Sequence, residues 1–328
     1  MRPSINKFLA VILLLGGFCL GYFFVKNNLF GSYCDYSKFR FVGNGFRCGF
    51  EYSIKKSSYA SLKLKLSQYI DDHRKNGDVS SVSVYFRDLE NGPTLGIEEH
   101  EKFSPASLLK LPVLLAYLNF EEDKPGTLKT ELVYQDLQRR DKLEQNISVK
   151  DPIKEGVRYT IEDLLRHMIK YSDNKAYYVL LEYLHQLSPE NDLLKDVYVD
   201  LGIVDPKSLI DETISVKSYS SIFAQIYYSS FFETREISEL ALSFLVDVDY
   251  RDGLVAGVPS GIPVAHKFGE RTGFQGGVKQ LHDCGIVYFD KNPYLLCVMT
   301  RGQDFSRLAE TISEISRIVY RELESRRI

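Results

Sequence analysis

The spacing of apolar residues changes four times along this 328-residue chain, and those changes limit the folds that it can adopt. Spacing typical of amphipathic helices gives way to alternation, then to a long helical block, and finally to alternation and a last helix. The predicted helices cover residues 58–75, 108–120, 160–170, 174–187, 216–228 and 305–326, and the predicted strands cover 79–87, 95–97, 264–268, 285–289 and 294–300. We therefore expect an α/β sandwich interrupted by an all-helical insertion, with a cleft between the two parts.

The N-terminal region contains an apolar segment long enough to cross a membrane. The run from Phe8 to Val25 has no charged side chain and would span roughly 27 Å as a helix. Arg2 and Lys7 precede it, which favours a cytoplasmic N-terminus. A cleaved signal peptide is the alternative, but the run is long for one and no Ala-x-Ala site follows. We expect a cytoplasmic tail (1–7), a transmembrane signal anchor (8–25), a linker (26–57) and an extracytoplasmic domain (58–328) in the cell membrane.

Four of the five cysteines form two sequence-local pairs. Cys34 and Cys48 flank an aromatic and glycine-rich segment just outside the predicted anchor, where a disulfide would persist, so we predict that they are bridged. Cys284 and Cys297 fall on two strands joined by a short turn. Pairing Phe289 with Tyr294 would leave those two cysteines diagonal to each other, about 7 Å apart, so we predict two buried thiols.

Composition excludes several classes of protein. With 44% hydrophobic and 26% charged residues the chain is globular, and a net charge of −3 with a pI near 6.1 gives no basic surface for nucleic acid. The six histidines lack metal-binding spacing, and no phosphate-binding loop is present, so we expect neither a metal nor a cofactor. We expect the domain to act as a monomer.

A candidate nucleophile lies at the start of the helical block, in the segment Phe103–Leu118. Ser104 followed by Pro105 is typical of a helix start, with the serine as the cap. Ser107 would then lie in the first turn, with Lys110 three residues later on the same face. A neutral lysine there could act as a base, and the free amides of the turn suit an oxyanion.

Two further motifs follow at the predicted start of a helix and on a predicted strand. Ser172, Asp173 and Asn174 begin the helix over 174–187. Lys267, Phe268 and Gly269 lie on the first strand of the returning sheet, where Lys267 and Gly269 share a face. A lysine there can hold an anionic group, and a glycine leaves room for a ligand along the backbone. Each motif alone is weak, since residues that cap helices and isolated lysines are common.

Taken together, Ser-x-x-Lys, Ser-Asp-Asn and Lys-x-Gly occur in an order that resembles the class A β-lactamase group of penicillin-recognising serine hydrolases. The segments Gly156–Leu164 and His282–Tyr288 also match. The resemblance covers about residues 58–328 and implies a three-layer α/β sandwich with an antiparallel sheet plus an all-helical subdomain. Residues 58–103 and 255–328 would form the α/β part, and residues 104–254 the helical part.

The resemblance also implies a role for each residue of the motifs. Ser107 would attack the amide carbonyl, Lys110 would help deprotonate it, and Ser172 would pass a proton to the departing nitrogen. The backbone amides of Ser107 and Glu270 would form the oxyanion hole. The substrate would be bound by Asn174, Lys267 and Gly269.

Two departures from the family pattern concern the substrate carboxylate and deacylation. The family usually has threonine or serine where this chain has Phe268, which lacks the hydroxyl that helps bind the carboxylate. The Glu-x-x-Leu-Asn loop that activates the hydrolytic water is not found, and Glu212 is the only glutamate in the corresponding loop. Glu212 could equally cap the following helix.

Three functions therefore remain open. The first is a β-lactamase that opens β-lactam amides through an acyl-enzyme on Ser107. The second is a D-alanyl-D-alanine carboxypeptidase or penicillin-binding protein that deacylates slowly. The third is a catalytically idle module that binds the cell wall, although such a module would not require all the motif residues.

Overall fold

The structure is a computed structural model, and it describes residues 38–43, 59–90, 92–135, 145–187, 192–203, 213–273, 277–289 and 292–326. The predicted tail and anchor, the Cys34–Cys48 bridge and Glu212 lie outside these described residues. Across the described ranges, no helix combines the length and apolar character needed to cross a membrane. The anchor, the bridge and the cellular location thus stay predictions.

A five-stranded antiparallel sheet and a set of helices form the fold. The helices are α1 (Ala60–Lys75), α2 (Lys110–Asp123), α3 (Ile161–Lys170), α4 (Asn174–Leu187), α5 (Leu193–Asp200), α6 (Val216–Tyr227), α7 (Arg235–Val246) and α8 (Phe305–Ser325). The strands are β1 (Ser81–Asp88), β2 (Thr94–Ile97), β3 (Lys102–Phe103), β4 (Glu131–Val133), β5 (Arg158–Thr160), β6 (Ile214–Ser215), β7 (Val264–Thr272), β8 (Lys279–Val287) and β9 (Tyr294–Gly302).

The sheet has the strand order β2-β1-β9-β8-β7, so the terminal parts of the chain build it together. Helix α8 packs on β8, on β9 and on α1, while α6 and α7 contact strands of the same sheet from the helical part. The edge strand β7 contacts the 3-10 helix Ala106–Leu109 that precedes α2. The structure therefore has the expected antiparallel α/β fold, with β7 beside the start of the central helix.

Helix α2 is buried nearly all round from Lys110 to Leu118, which explains its unbroken apolar sequence. In contrast, α3 shows one strong apolar face and begins with a capping box in which Thr160 and Asp163 bond each other's backbone. The helices α5 and α7 and the short strands β3 to β6 were not predicted from the sequence. Strands of two or three residues are too short to show a period.

Part of the predicted linker packs on the domain. The amides of Arg40, Phe41 and Val42 donate to the carboxylate of Glu239 on α7, at 2.8–2.9 Å. The Gly43 amide donates to the carbonyl of Tyr227 at 2.8 Å. Residues 38–43 are thus bound to the helical part.

The prediction of two buried thiols is wrong. Val287, rather than Phe289, pairs with Tyr294, so Cys284 lies directly opposite Cys297, and the two form a disulfide. The strand β8 ends two residues earlier than expected because the amide of Asn292 bonds the Phe289 carbonyl in the connecting turn. The longer turn shifts the register by two residues.

Candidate active site

Ser107 lies in the 3-10 helix that leads directly into α2. The preceding residue, Ala106, has a φ of 49°, a left-handed conformation that costs a non-glycine residue about 1–3 kcal/mol. The prediction that Ser104 caps this helix is wrong, because Pro105 stands at the cap position without a side-chain bond. The Ser104 hydroxyl instead accepts from the Arg271 guanidinium of β7 at 2.8 Å.

The amine of Lys110 contacts three residues of the first two motifs, Ser107, Ser172 and Asn174. Its Nζ lies 2.9 Å from Ser107 Oγ, 3.1 Å from Ser172 Oγ, 2.7 Å from the Ser172 carbonyl oxygen and 2.6 Å from Asn174 Oδ1. An ammonium has only three protons to donate. These four contacts therefore also suit a neutral amine that accepts a proton from a hydroxyl.

Burial changes the protonation of Lys110. The side chain is only 2% exposed, and the loss of hydration lowers its pKa from 10.5 to about 7, although the charges of Asp173 and Glu270 oppose the shift. A substantial fraction of Lys110 is thus neutral near pH 7. A base with a pKa near the working pH is well suited to proton transfer.

Ser172 places one hydroxyl between two buried amines. Its Oγ lies 3.1 Å from the amine of Lys110 and 3.0 Å from that of Lys267, which reaches it from β7. The amine of Lys267 also donates to the Phe268 carbonyl at 2.9 Å. Burial lowers the pKa of Lys267 well below its usual value, and the nearby Lys110 acts in the same direction. Ser172 is held in a left-handed conformation, with a φ of 56°.

Gly269 lies where β7 comes close to the turn that carries Ser107. A Cβ there would lie 3.0 Å from the Pro105 carbonyl oxygen and 3.1 Å from the Leu108 amide nitrogen. Glycine is thus needed at this position because β7 approaches the turn of Ser107 closely. The same approach brings Glu270, the next residue of β7, beside that turn.

Phe268 follows Lys267 on β7. Its ring is buried and stacks on Tyr250, with the centroids 4.4 Å apart, and the Lys267 amine lies 4.3 Å from its centroid. Phe268 and Tyr171 line a cavity of about 200 Å³ beside the motifs. An aromatic ring therefore stands where the family has a hydroxyl.

Two strand histidines are hydrogen-bonded rather than exposed to the cleft. His266 Nδ1 donates to the buried carboxylate of Asp283 at 2.8 Å, and that carboxylate also accepts the Leu254 amide. His282 Nε2 bonds the Ser104 carbonyl at 3.0 Å, and burial lowers the pKa of His282 to about 4. His282 thus supports the segment that carries Ser107.

Three residues near the site were not singled out from the sequence. Asp173 is buried, and its carboxylate accepts the amides of Lys175 and Ile153, at 2.7 and 2.9 Å, which fixes the turn between Ser172 and Asn174. Its place inside the second motif could have indicated this role. Gln145 and Asn146 reach the site from a connecting segment, and no motif marks them.

No carboxylate among the described residues forms a hydrogen bond or ion pair with Ser107 or Lys110. Asp173 and Glu270 are the acids whose charges raise the pKa of Lys110. Both carboxylates accept hydrogen bonds from backbone amides. Glu212, the glutamate considered for deacylation, lies outside the described part of the chain.

Comparison with known proteins agrees with the motifs. A family profile described as the Beta-lactamase enzyme family matches residues 64–323. Among solved structures, a PBP-A variant in an acyl-enzyme complex with penicillin G is similar, with 21% identity and a TM-score of 0.65 over 81% of this chain and 97% of that one. The TLA-3 extended-spectrum beta-lactamase has 16% identity and a TM-score of 0.65, over 81% and 99% of the two chains.

A class A beta-lactamase from Mycobacterium abscessus has 21% identity and a TM-score of 0.62, over 80% of this chain and 99% of that one. At these identities the solved structures show the fold alone. No curated protein sequence matches the chain. The family profile covers most of the chain, and the chain therefore belongs to the Beta-lactamase enzyme family.

Proposed function

We propose that this protein is an active-site serine hydrolase that opens β-lactam amides through an acyl-enzyme on Ser107. The observation that carries the proposal is the buried amine of Lys110, which contacts Ser107 Oγ at 2.9 Å and has a pKa lowered to about 7. A neutral amine in that position can take the hydroxyl proton as Ser107 attacks the carbonyl carbon.

The remaining groups suit the later steps of acylation. The amides of Ser107 and Glu270 would donate to the oxyanion that forms on the carbonyl oxygen. As the amide C–N bond breaks, the Ser172 hydroxyl gives its proton to the departing nitrogen. Ser172 can recover a proton from Lys110, 3.1 Å away, which returns the lysine to its neutral form. Asn174 and Lys267 would bind the substrate.

The groups available for deacylation support a second candidate function. Since the described residues provide no carboxylate in contact with Ser107 or Lys110, hydrolysis of the acyl-enzyme lacks a carboxylate base in that part of the chain. A D-alanyl-D-alanine carboxypeptidase or penicillin-binding protein with slow deacylation would use the same acylation chemistry. Phe268 in place of a hydroxyl would weaken the contact to the substrate carboxylate, which β-lactams and D-alanyl peptides both carry, so it affects both candidates alike.

The two candidates differ in how long the acyl group remains on Ser107. The full chain in detergent would be mixed with a chromogenic cephalosporin and followed by absorbance and intact mass. Rapid colour with a transient adduct indicates a β-lactamase, and a stable adduct indicates a penicillin-binding protein. Ser107→Ala should lose the adduct and lower the rate on the order of 10³-fold or more.

Ser221→Ala serves as the matched control, because the Ser221 hydroxyl donates to the carbonyl of Ser218 within its own helix. It should keep the wild-type rate. A wild-type protein that neither turns over nor acquires an adduct would refute the proposal and favour the idle cell-wall-binding module.

We also propose that the run over 8–25 anchors the chain, with the catalytic domain outside the cytoplasm. The disulfide between Cys284 and Cys297 supports this location, because such bonds persist in oxidising compartments. The oxidation state of these two cysteines in the protein isolated from its cells is the test. Two free thiols would count against export.

A further inference from the structure

The segment that contains Gln145 and Asn146 crosses the cleft between the two walls of the candidate site. On the helical side, Gln145 Nε2 donates to the Ser172 carbonyl at 3.0 Å. On the sheet side, the Asn146 amide donates to Glu270 Oε1 at 2.8 Å, and the side-chain amide of Asn146 donates to Glu270 Oε2. We call this segment, together with Glu270, the Asn146 bridge.

Further contacts hold the Asn146 bridge to β7. The Ile147 amide also donates to Glu270 Oε1, at 3.3 Å, and the Thr272 hydroxyl donates to Asn146 Oδ1 at 3.2 Å. Hydrogen bonds to a charged carboxylate are stronger than those between neutral groups. The sheet side of the bridge is thus held by several bonds, at least two of them from backbone amides.

Two consecutive residues make the contacts to opposite walls. Because the Cα atoms of neighbouring residues are about 3.8 Å apart, one peptide unit plus two side chains spans the opening at this level. Ser172 and Glu270 belong to the same group of residues that surrounds Ser107. The opening beside the reactive groups is therefore narrow while the bridge is intact.

The position of Glu270 relates the bridge to the substrate, and this step rests on the proposed function. If the Glu270 amide binds the carbonyl oxygen under attack, the substituent on the acyl side of that carbonyl lies next to the Glu270 side chain. A small substituent fits beside an intact bridge. A large one must first separate Asn146 from Glu270.

We propose that Asn146 and Glu270 are specificity-determining residues, and that their hydrogen bonds favour acyl donors with a small or absent acyl-side substituent. A bulky donor acylates Ser107 more slowly because the bridge has to open. Substitution of Asn146 should therefore change the preference between donors and leave the attack by Ser107 itself unaltered.

The experiment compares two donors on the full chain in detergent: 6-aminopenicillanic acid, which has no acyl side chain, and a cephalosporin with a large branched one. The second-order rate of Ser107 acylation is measured by intact mass. Asn146→Ala removes both side-chain contacts of Asn146. It should raise the ratio of the acylation rate of the bulky donor to that of the small donor by about tenfold, because one or two hydrogen bonds no longer have to open.

Glu270→Gln is the second variant, because it keeps the backbone amide and the side-chain shape but removes the charge that accepts these bonds. We expect the ratio to change in the same direction. Asn292→Ala, in the turn between β8 and β9, is the matched control and should keep the wild-type ratio. Circular dichroism checks that each variant is folded.

An unchanged ratio in both bridge variants, with both donors still acylating Ser107, would overturn this inference and leave the proposed function intact. A preference for the bulky donor in the wild-type protein would overturn it as well. Failure of every protein to be acylated would reject the proposed function and this inference together.

Discussion

Lys110 combines two properties that are seldom found in one side chain, complete burial and a contact with a hydroxyl that has to lose a proton. Burial lowers its pKa to about 7, and its Nζ lies 2.9 Å from Ser107 Oγ. Below that pKa the ammonium cannot accept the proton of Ser107. Above it the neutral amine can.

The acylation rate should therefore rise with pH and level off above about 8, with an inflection near the pKa of about 7 that burial gives Lys110. The second-order rate constant for acylation by a chromogenic cephalosporin, measured from pH 5.5 to 8.5, checks this, because it reports on the free enzyme. The β-lactam carboxylate stays ionised over this range. A flat profile would show that Lys110 is not the base.

At the scale of the strand, the bond between Cys284 and Cys297 joins β8 to β9 in the same row of the sheet as Lys267, which pairs with Cys284 from β7. Closing a loop of this length restricts the unfolded chain by about 3 kcal/mol. The double variant Cys284→Ala with Cys297→Ala should lose about that much free energy of unfolding in urea.

The oxidation state of this pair is checked separately. The protein is unfolded in guanidinium without reductant, treated with iodoacetamide and digested. Cys284 and Cys297 should be unlabelled until a reductant is added. Labelling of both before reduction would contradict the disulfide.

This bond also shows where sequence patterns reach their limit. The alternation over 294–300 predicted β9 correctly, since each strand carries its own period. The register between β8 and β9 depends on the length of their turn, and a shift of two residues preserves the alternation. Periodicity could therefore predict both strands but could not determine that Cys284 and Cys297 face each other.

Across the whole molecule, the candidate site draws on three separate regions of the chain, around Ser107, Ser172 and Lys267. The sequence could predict that these regions are used together, because their motifs occur in the family order. It could not predict Asn146, whose contacts to Glu270 exist only when the sheet and the helical part are assembled. Nor could the sequence predict that the Ser104 hydroxyl accepts a hydrogen bond from Arg271 and does not cap a helix amide.

The assembled site also makes the stability of the molecule depend on pH. Burial lowers the pKa of Lys110 to about 7 and that of Lys267 well below its usual value, whereas an unfolded lysine keeps a pKa of about 10.4. Between pH 7 and 9 the unfolded chain thus binds more protons than the folded one. Stability must rise with pH over this window.

Removing one of the two lysines should reduce that rise. In Lys110→Met the free energy of unfolding should increase less steeply between pH 7 and 9, by up to about 1.4 kcal/mol per pH unit, the value for one proton. Urea unfolding at several pH values measures the slope. Lys63→Met, on the exposed side of α1, is the control and should keep the wild-type slope. If Lys110→Met and Lys63→Met gave equal slopes, Lys110 would have the same protonation in the folded and the unfolded state. In that case its burial could not supply the neutral base on which acylation depends.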